Sequence, residues 1–105
     1  MVAVNYSIKK QKSMNYIIQT NNNPIVYNPY RSSYFYYSPD FKYVVECKIG
    51  VGYSTTLIRV SRFENNTILP ETEIEYNRTI QSITNEEISS TIIGALQMYI
   101  SEECV

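Results

Sequence analysis

With 105 residues, the chain has room for one hydrophobic core and no second domain. Hydrophobic residues make up 44% and charged residues 18%, enough apolar surface to exclude a wholly disordered chain. The complete absence of histidine removes the commonest general base and the commonest zinc ligand, so the expectation is a protein that is not an enzyme.

Charge is divided along the chain. Through residue 63, eight lysines and arginines oppose Asp40 and Glu46, a surplus of +6; from residue 64 onward, Arg78 alone opposes eight glutamates, a balance of −7. Two such halves can pair within one chain or between copies. The eleven tyrosines, against three glycines and four prolines, are the product of AT-rich codons, which discounts tyrosine somewhat as a functional signal.

Residues 1–13 are polar and basic, with Lys9, Lys10 and Lys12 and no clear amphipathic period. They read as an N-terminal arm ahead of a β domain over residues 14–83. No apolar core follows these lysines, so a signal peptide is not expected, and no run approaches the ~20 apolar residues of a membrane span. From Tyr16 onward, short apolar runs alternate with turn residues. Tyr16-Ile17-Ile18 and Ile25-Val26-Tyr27 flank Asn21-Asn22-Asn23-Pro24, and Ser33 to Tyr37 is dense in aromatic β-formers and stops at Ser38-Pro39-Asp40.

The clearest strand runs over residues 41–49. Its period places Phe41, Tyr43, Val45, Cys47 and Ile49 on one face and Lys42, Glu46 and Lys48 on the other. Gly50-Val51-Gly52 reads as a turn, after which residues 54–63 return with Ile58 and Val60 on one side and Arg59 and Ser61 on the other. Glu64-Asn65-Asn66 closes that strand. Thr67-Ile68-Leu69 is followed by Pro70, and Thr72, Ile74 and Tyr76 then alternate with Glu71, Glu73 and Glu75, leaving one strongly acidic face. The fold class is therefore mainly β with one C-terminal helix (α+β): an antiparallel, sandwich-like domain of about six short strands. The helix occupies residues 84–105 and packs on the same domain. Thr84 and Glu87 match a capping box, and Ile88, Ile92, Leu96 and Tyr99 or Ile100 form one stripe. Glu102 and Glu103 oppose the helix dipole, which calls for a basic group nearby.

Candidate chemistry is sparse. Glu71, Glu73 and Glu75 could share a strand face but read as a solvated one, Cys47 and Cys104 read as free thiols, and no phosphate-binding glycine loop is present. No metal and no cofactor is expected. Lys9, Lys10, Lys12 and Arg31 lie among Tyr30, Tyr34, Phe35, Tyr36 and Tyr37, basic groups beside stacking rings, yet a pI near 5.4 argues against nucleic acid as a partner. The aromatic run carries more. Tyr34, Phe35, Tyr36 and Tyr37 cannot all enter one core, because a strand sends alternate side chains to opposite faces. Two large rings must face outward or be covered by another chain, and tyrosine suits interfaces. The candidate interface residues are thus Tyr34, Phe35, Tyr36 and Tyr37, with the arm lysines and the three strand glutamates.

Asn23-Pro24-Ile25-Val26-Tyr27, followed by Asp40-Phe41-Lys42-Tyr43-Val44-Val45-Glu46, resembles the N-P-I-V-F … N-F-K-Y-V opening of a β-rich module in virion structural proteins of tailed bacteriophages, including the crAss-like phages. Tyr27 and Asp40 depart from that pattern. The resemblance implies a head fibre, capsid decoration or neck or tail component, made in the host cytoplasm and carried in the virion. It implies no active site, and partners that are other copies, as a homo-dimer or homo-trimer, and other virion proteins. The alternative reading is a small viral host-interaction protein or inhibitor that presents its acidic strand face.

Overall fold

The computed structural model describes residues 16–50 and 55–103. The arm with Lys9, Lys10 and Lys12, Val51 and Gly52 of the expected turn, and Cys104 lie outside the described residues. Six strands follow in chain order, β1 (Ile17–Ile18), β2 (Ile25–Asn28), β3 (Ser33–Tyr37), β4 (Tyr43–Lys48), β5 (Thr56–Glu64) and β6 (Thr67–Arg78), then helix α1 (Asn85–Glu103). Each strand pairs antiparallel with its chain neighbour in one sheet of order β1-β2-β3-β4-β5-β6. This is the mainly β fold with a C-terminal helix that the sequence predicts; the second layer is the helix rather than a second sheet.

The turns are built from side chains that imitate backbone. Asn28 Oδ1 accepts the amides of Tyr30 and Arg31 at 2.9 and 3.3 Å, an Asx turn between β2 and β3. Asn65 and Asn66 both take positive φ, 52° and 60°, and so form the two-residue I′ turn whose twist matches the β5–β6 hairpin. Gly50 is required where the chain leaves β4, because a Cβ there would stand 2.7 Å from the Thr55 carbonyl oxygen.

One face of the sheet carries the core. Ile18, Ile25, Tyr36, Val45 and Val60 form one cross-strand row, and Tyr34, Cys47 and Ile58 form the next. Against them α1 sets Ile88, Ile92, Ala95, Leu96 and Tyr99, all buried, so Tyr99 rather than Ile100 completes the helical stripe. Thr84 caps the helix by accepting the Glu87 amide at 3.1 Å. At the other end, Glu103 pairs with Arg62 at 3.2 Å and accepts the Tyr43 hydroxyl at 2.7 Å. Arg62 is the basic group that the unfavourable helix end calls for.

One expectation is corrected. Phe41 does not lie on the β4 core face: the Ser38 hydroxyl accepts the Lys42 and Tyr43 amides, and the resulting turn holds Phe41 at φ 57° with its ring exposed. β6 runs as one strand through Pro70. Pairing shifts between Val60 opposite Ile74 and Arg62 opposite Leu69, so residues 70–73 bulge out of register. There the Thr72 hydroxyl accepts the Arg62 amide at 2.8 Å and donates to the Leu69 carbonyl, while the Tyr99 hydroxyl donates to the Thr72 carbonyl at 2.7 Å. An edge strand tolerates such a proline.

Ile92 is fully buried at the middle of the helix stripe. Ile92→Ala is therefore expected to lower the unfolding free energy by about 2–5 kcal/mol, measured by urea titration of the full chain.

Candidate functional site

The sheet face away from α1 has no covering element among the described residues, and it is here that exposed apolar groups collect. A single cross-strand row runs over all six strands: Ile17, Val26, Phe35, Glu46, Arg59 and Glu75. Beside it lie Tyr37, Val44 and Ser61, with Phe63 opposite Ile68. Ile17, Val26 and Ile68 are exposed, Phe35, Tyr37 and Phe63 are half-buried, and Val44 is buried between its neighbours.

Ion pairs tie the centre of this face together. The Arg31 guanidinium donates twice to the Glu46 carboxylate, at 3.0 and 3.1 Å, and sits 5.9 Å from the Phe35 ring centroid. Arg59 reaches Glu46 at 3.9 Å, Glu73 at 3.3 Å and Glu75 at 3.9 Å. The Glu46 side chain is only 12% exposed. Burial pushes its carboxyl pKa up, but the Arg31 and Ser33 hydrogen bonds and the two guanidinium charges win and hold it below the ordinary value. The alternating chain of charges lines a shallow cleft of about 320 Å³ together with Phe35, Val44, Ser61 and Ile68.

At one end of the face stands an aromatic cluster. Tyr37 meets Phe63 edge-on at 5.1 Å between ring centroids and Phe41 at 6.3 Å. Phe41 is 55% exposed and carries a left-handed backbone, a conformation that costs a non-glycine residue roughly 1–2 kcal/mol. A large ring is thus kept exposed on a strained backbone beside the open face.

The sequence-predicted interface is thus redrawn. Tyr34 and Tyr36 are 4% and 2% exposed beneath α1 and are corrected to core residues; Phe35 and Tyr37 face the open side, together with Phe41 and Phe63. Glu73 and Glu75 lie on that same open side but are paired to Arg59, so the acidic strand is partly neutralised within the sheet, while Glu71 is exposed in the bulge. Of the basic and stacking groups, Arg31 is held by Glu46 and Tyr34 and Tyr36 are buried, while Lys9, Lys10 and Lys12 lie outside the described residues. Arg31, read among the stacking rings, is tied to Glu46 instead; Glu46 and Arg59 are the residues of this face that the sequence reading did not single out. Their signal was the register of β4 on β5, which sets Glu46 directly opposite Arg59.

Nothing in this arrangement activates a nucleophile. Cys47 is buried, and that burial, followed by the nearby Glu46 charge, pushes its thiol up to about 12. Among the described residues, no group of three or more acidic or cysteine side chains could hold a metal ion, and no helix is long and apolar enough to cross a membrane. No family model, curated protein or solved structure matches the chain. What the face can do is bind another surface: aromatic anchors surround a self-neutralised centre, which removes the cost of burying unpaired charge.

Two outcomes check this geometry. Phe41→Gly relieves the left-handed backbone, worth roughly 1–2 kcal/mol, but gives up the Tyr37 ring contact and loosens the unfolded chain, so monomer stability is expected to change by less than about 1 kcal/mol; a thermal melt reads it. Because the folded pKa of Glu46 is depressed, its contribution to stability is present at neutral pH and is lost as the pH falls below the ordinary value of 4.5. Glu46→Gln is therefore expected to flatten the acid limb of the stability profile, as followed by urea titrations over a pH series.

Proposed function

We propose that the protein is a non-enzymatic assembly domain that binds copies of itself and neighbouring proteins through its open sheet face, as a structural component of a phage virion. One observation carries the assembly reading: a six-stranded sheet with its helix on one side only presents Phe35, Tyr37, Phe41 and Phe63 on the other. Contiguous exposed apolar groups of this kind mark interaction surfaces, and rigid rings supply contact area at small entropic cost. The virion setting is supported by the resemblance at residues 23–27 and 40–46, which contribute most of β2 and β4 and, from the cluster on this face, Phe41. In that setting the protein is made in the host cytoplasm and carried in the particle as a head fibre, decoration or neck or tail piece.

The acidic-inhibitor alternative draws on the other strand feature: Arg59 takes up part of the Glu73 and Glu75 charge, and Glu71 stays exposed.

Light scattering of the purified full chain tests the reading. A discrete dimer or trimer is expected, with the double variant Phe35→Ser/Tyr37→Ser weakening self-association at least about tenfold, the loss of roughly 1.4 kcal/mol. A monomer at every concentration overturns the self-assembly.

A further inference from the structure

The sheet ends in two unequal edges. β1 has two residues, whereas β6 has twelve and no strand on its outer side among the described residues. A long open edge is a template for another strand. This one is selective. Glu71, Glu73 and Glu75 repel the same edge of another copy, and Pro70 and the bulge spoil pairing over residues 70–73, leaving Ile74 to Arg78 in regular register. The edge also has a partly exposed apolar rim on its helix side: Ile74 and Met98 are each 39% exposed, and Tyr76 is half-buried between β6 and α1, with the Arg78 guanidinium 5.9 Å from its ring centroid and 3.8 Å from the Met98 sulfur.

The arm has the complementary chemistry. The arm carries no period over its whole length, but within it Val2, Val4, Tyr6 and Ile8 alternate with Ala3, Asn5, Ser7 and Lys9, followed by Lys10 and Lys12. We infer that the N-terminal segment of one copy adds as a seventh, antiparallel strand to the β6 edge of a second copy. This inference rests on the assembly reading above and names its partner. Setting Ile8 beside Ile74 and Tyr6 beside Tyr76 covers the apolar rim, brings Lys9 opposite Glu73 and leaves Lys10 and Lys12 near Glu71. Opposite charges and apolar pairs then coincide in one register.

Reach decides between the chain's own edge and a neighbour's. Measured along the sheet, a strand beyond β6 lies six spacings of about 4.8 Å from β1, roughly 29 Å. With Lys12 kept near Glu71, the four residue steps from Lys12 to Tyr16 span at most about 13–14 Å when fully extended. That is about half the sheet's width, so the segment falls short of its own β6 and is assigned to another copy's. Mutual exchange closes a dimer, and head-to-tail donation makes a ring or filament.

Sedimentation equilibrium of the full chain at low salt tests this with three variants: arm-broken Ile8→Pro, edge-broken Glu73→Lys/Glu75→Lys, and face-broken Phe35→Ser/Tyr37→Ser. Ile8→Pro is expected to weaken self-association at least tenfold while leaving the thermal melt of the monomer unchanged. Mixing arm-broken with edge-broken chains is expected to restore association, because each supplies what the other lacks. Unchanged association of Ile8→Pro overturns the inference; if the face-broken variant alone dissociates, the inference falls while the open-face reading stands. Dissociation of Ile8→Pro with an unaffected face-broken variant supports the inference and removes the open face as the self-contact. A full chain that is monomeric throughout overturns both.

Discussion

A sheet has two faces, and among the described residues a single helix is set against it. Which face receives α1 determines nearly everything else. The covered face can afford Ile, Val and a buried thiol, and it holds the tyrosines whose hydroxyls find partners at its margin, such as Tyr43 on Glu103 and Tyr99 on the Thr72 carbonyl. The uncovered face must live in water yet still carry the strand-forming residues that hold the sheet together. It does so by pairing charge across strands: Arg31, Glu46 and Arg59 lie side by side, their aliphatic stems packed over the pleat and their charges mutually satisfied.

That pairing also settles how the uneven distribution of charge along the chain is used. Arg59 meets Glu73 and Glu75, and Arg62 meets Glu64 and Glu103, so the basic first part and the acidic second part are joined within one molecule by the β5–β6 hairpin and the helix end. Exposed pairs of this kind contribute little energy singly. Their effect here is geometric, since Arg62 pins the last turn of α1 to the sheet and Arg59 fixes the rotamers bordering the cleft.

Much of the fold was legible because periodicity and turn chemistry agree. Asn28-Pro29, Asn65-Asn66 and the Ile88, Ile92, Leu96 stripe each have one reading. What failed did so where a polar side chain replaced a backbone partner. The Ser38 hydroxyl extends its turn through Phe41, a substitution that does not change the hydrophobic period. For the aromatic run, alternation gave the parity but not the face. That Tyr34 and Tyr36 share a side followed from the sequence, whereas which side lies beneath the helix depends on Tyr34 pairing with Cys47 and Tyr36 with Val45. The ion-pair row was hidden for the same reason: Glu46 and Arg59 are thirteen residues apart, and only the hairpin register brings them together.

The bulge in β6 links the two ends of the molecule's surface chemistry. By displacing residues 70–73 from register, it takes Glu71 out of the alternation and gives Tyr99 a carbonyl to hold, while the strand beyond it returns to regular pairing with Glu73 and Glu75 turned toward Arg59 and Ile74 and Tyr76 toward the helix. A straight β6 would offer a uniform edge open to any strand. The bulged one combines a protected stretch with a short, acidic, apolar-rimmed stretch whose charge disfavours pairing with a like edge. That local irregularity is fixed from behind by the Tyr99 hydroxyl on the Thr72 carbonyl, from the one helix among the described residues.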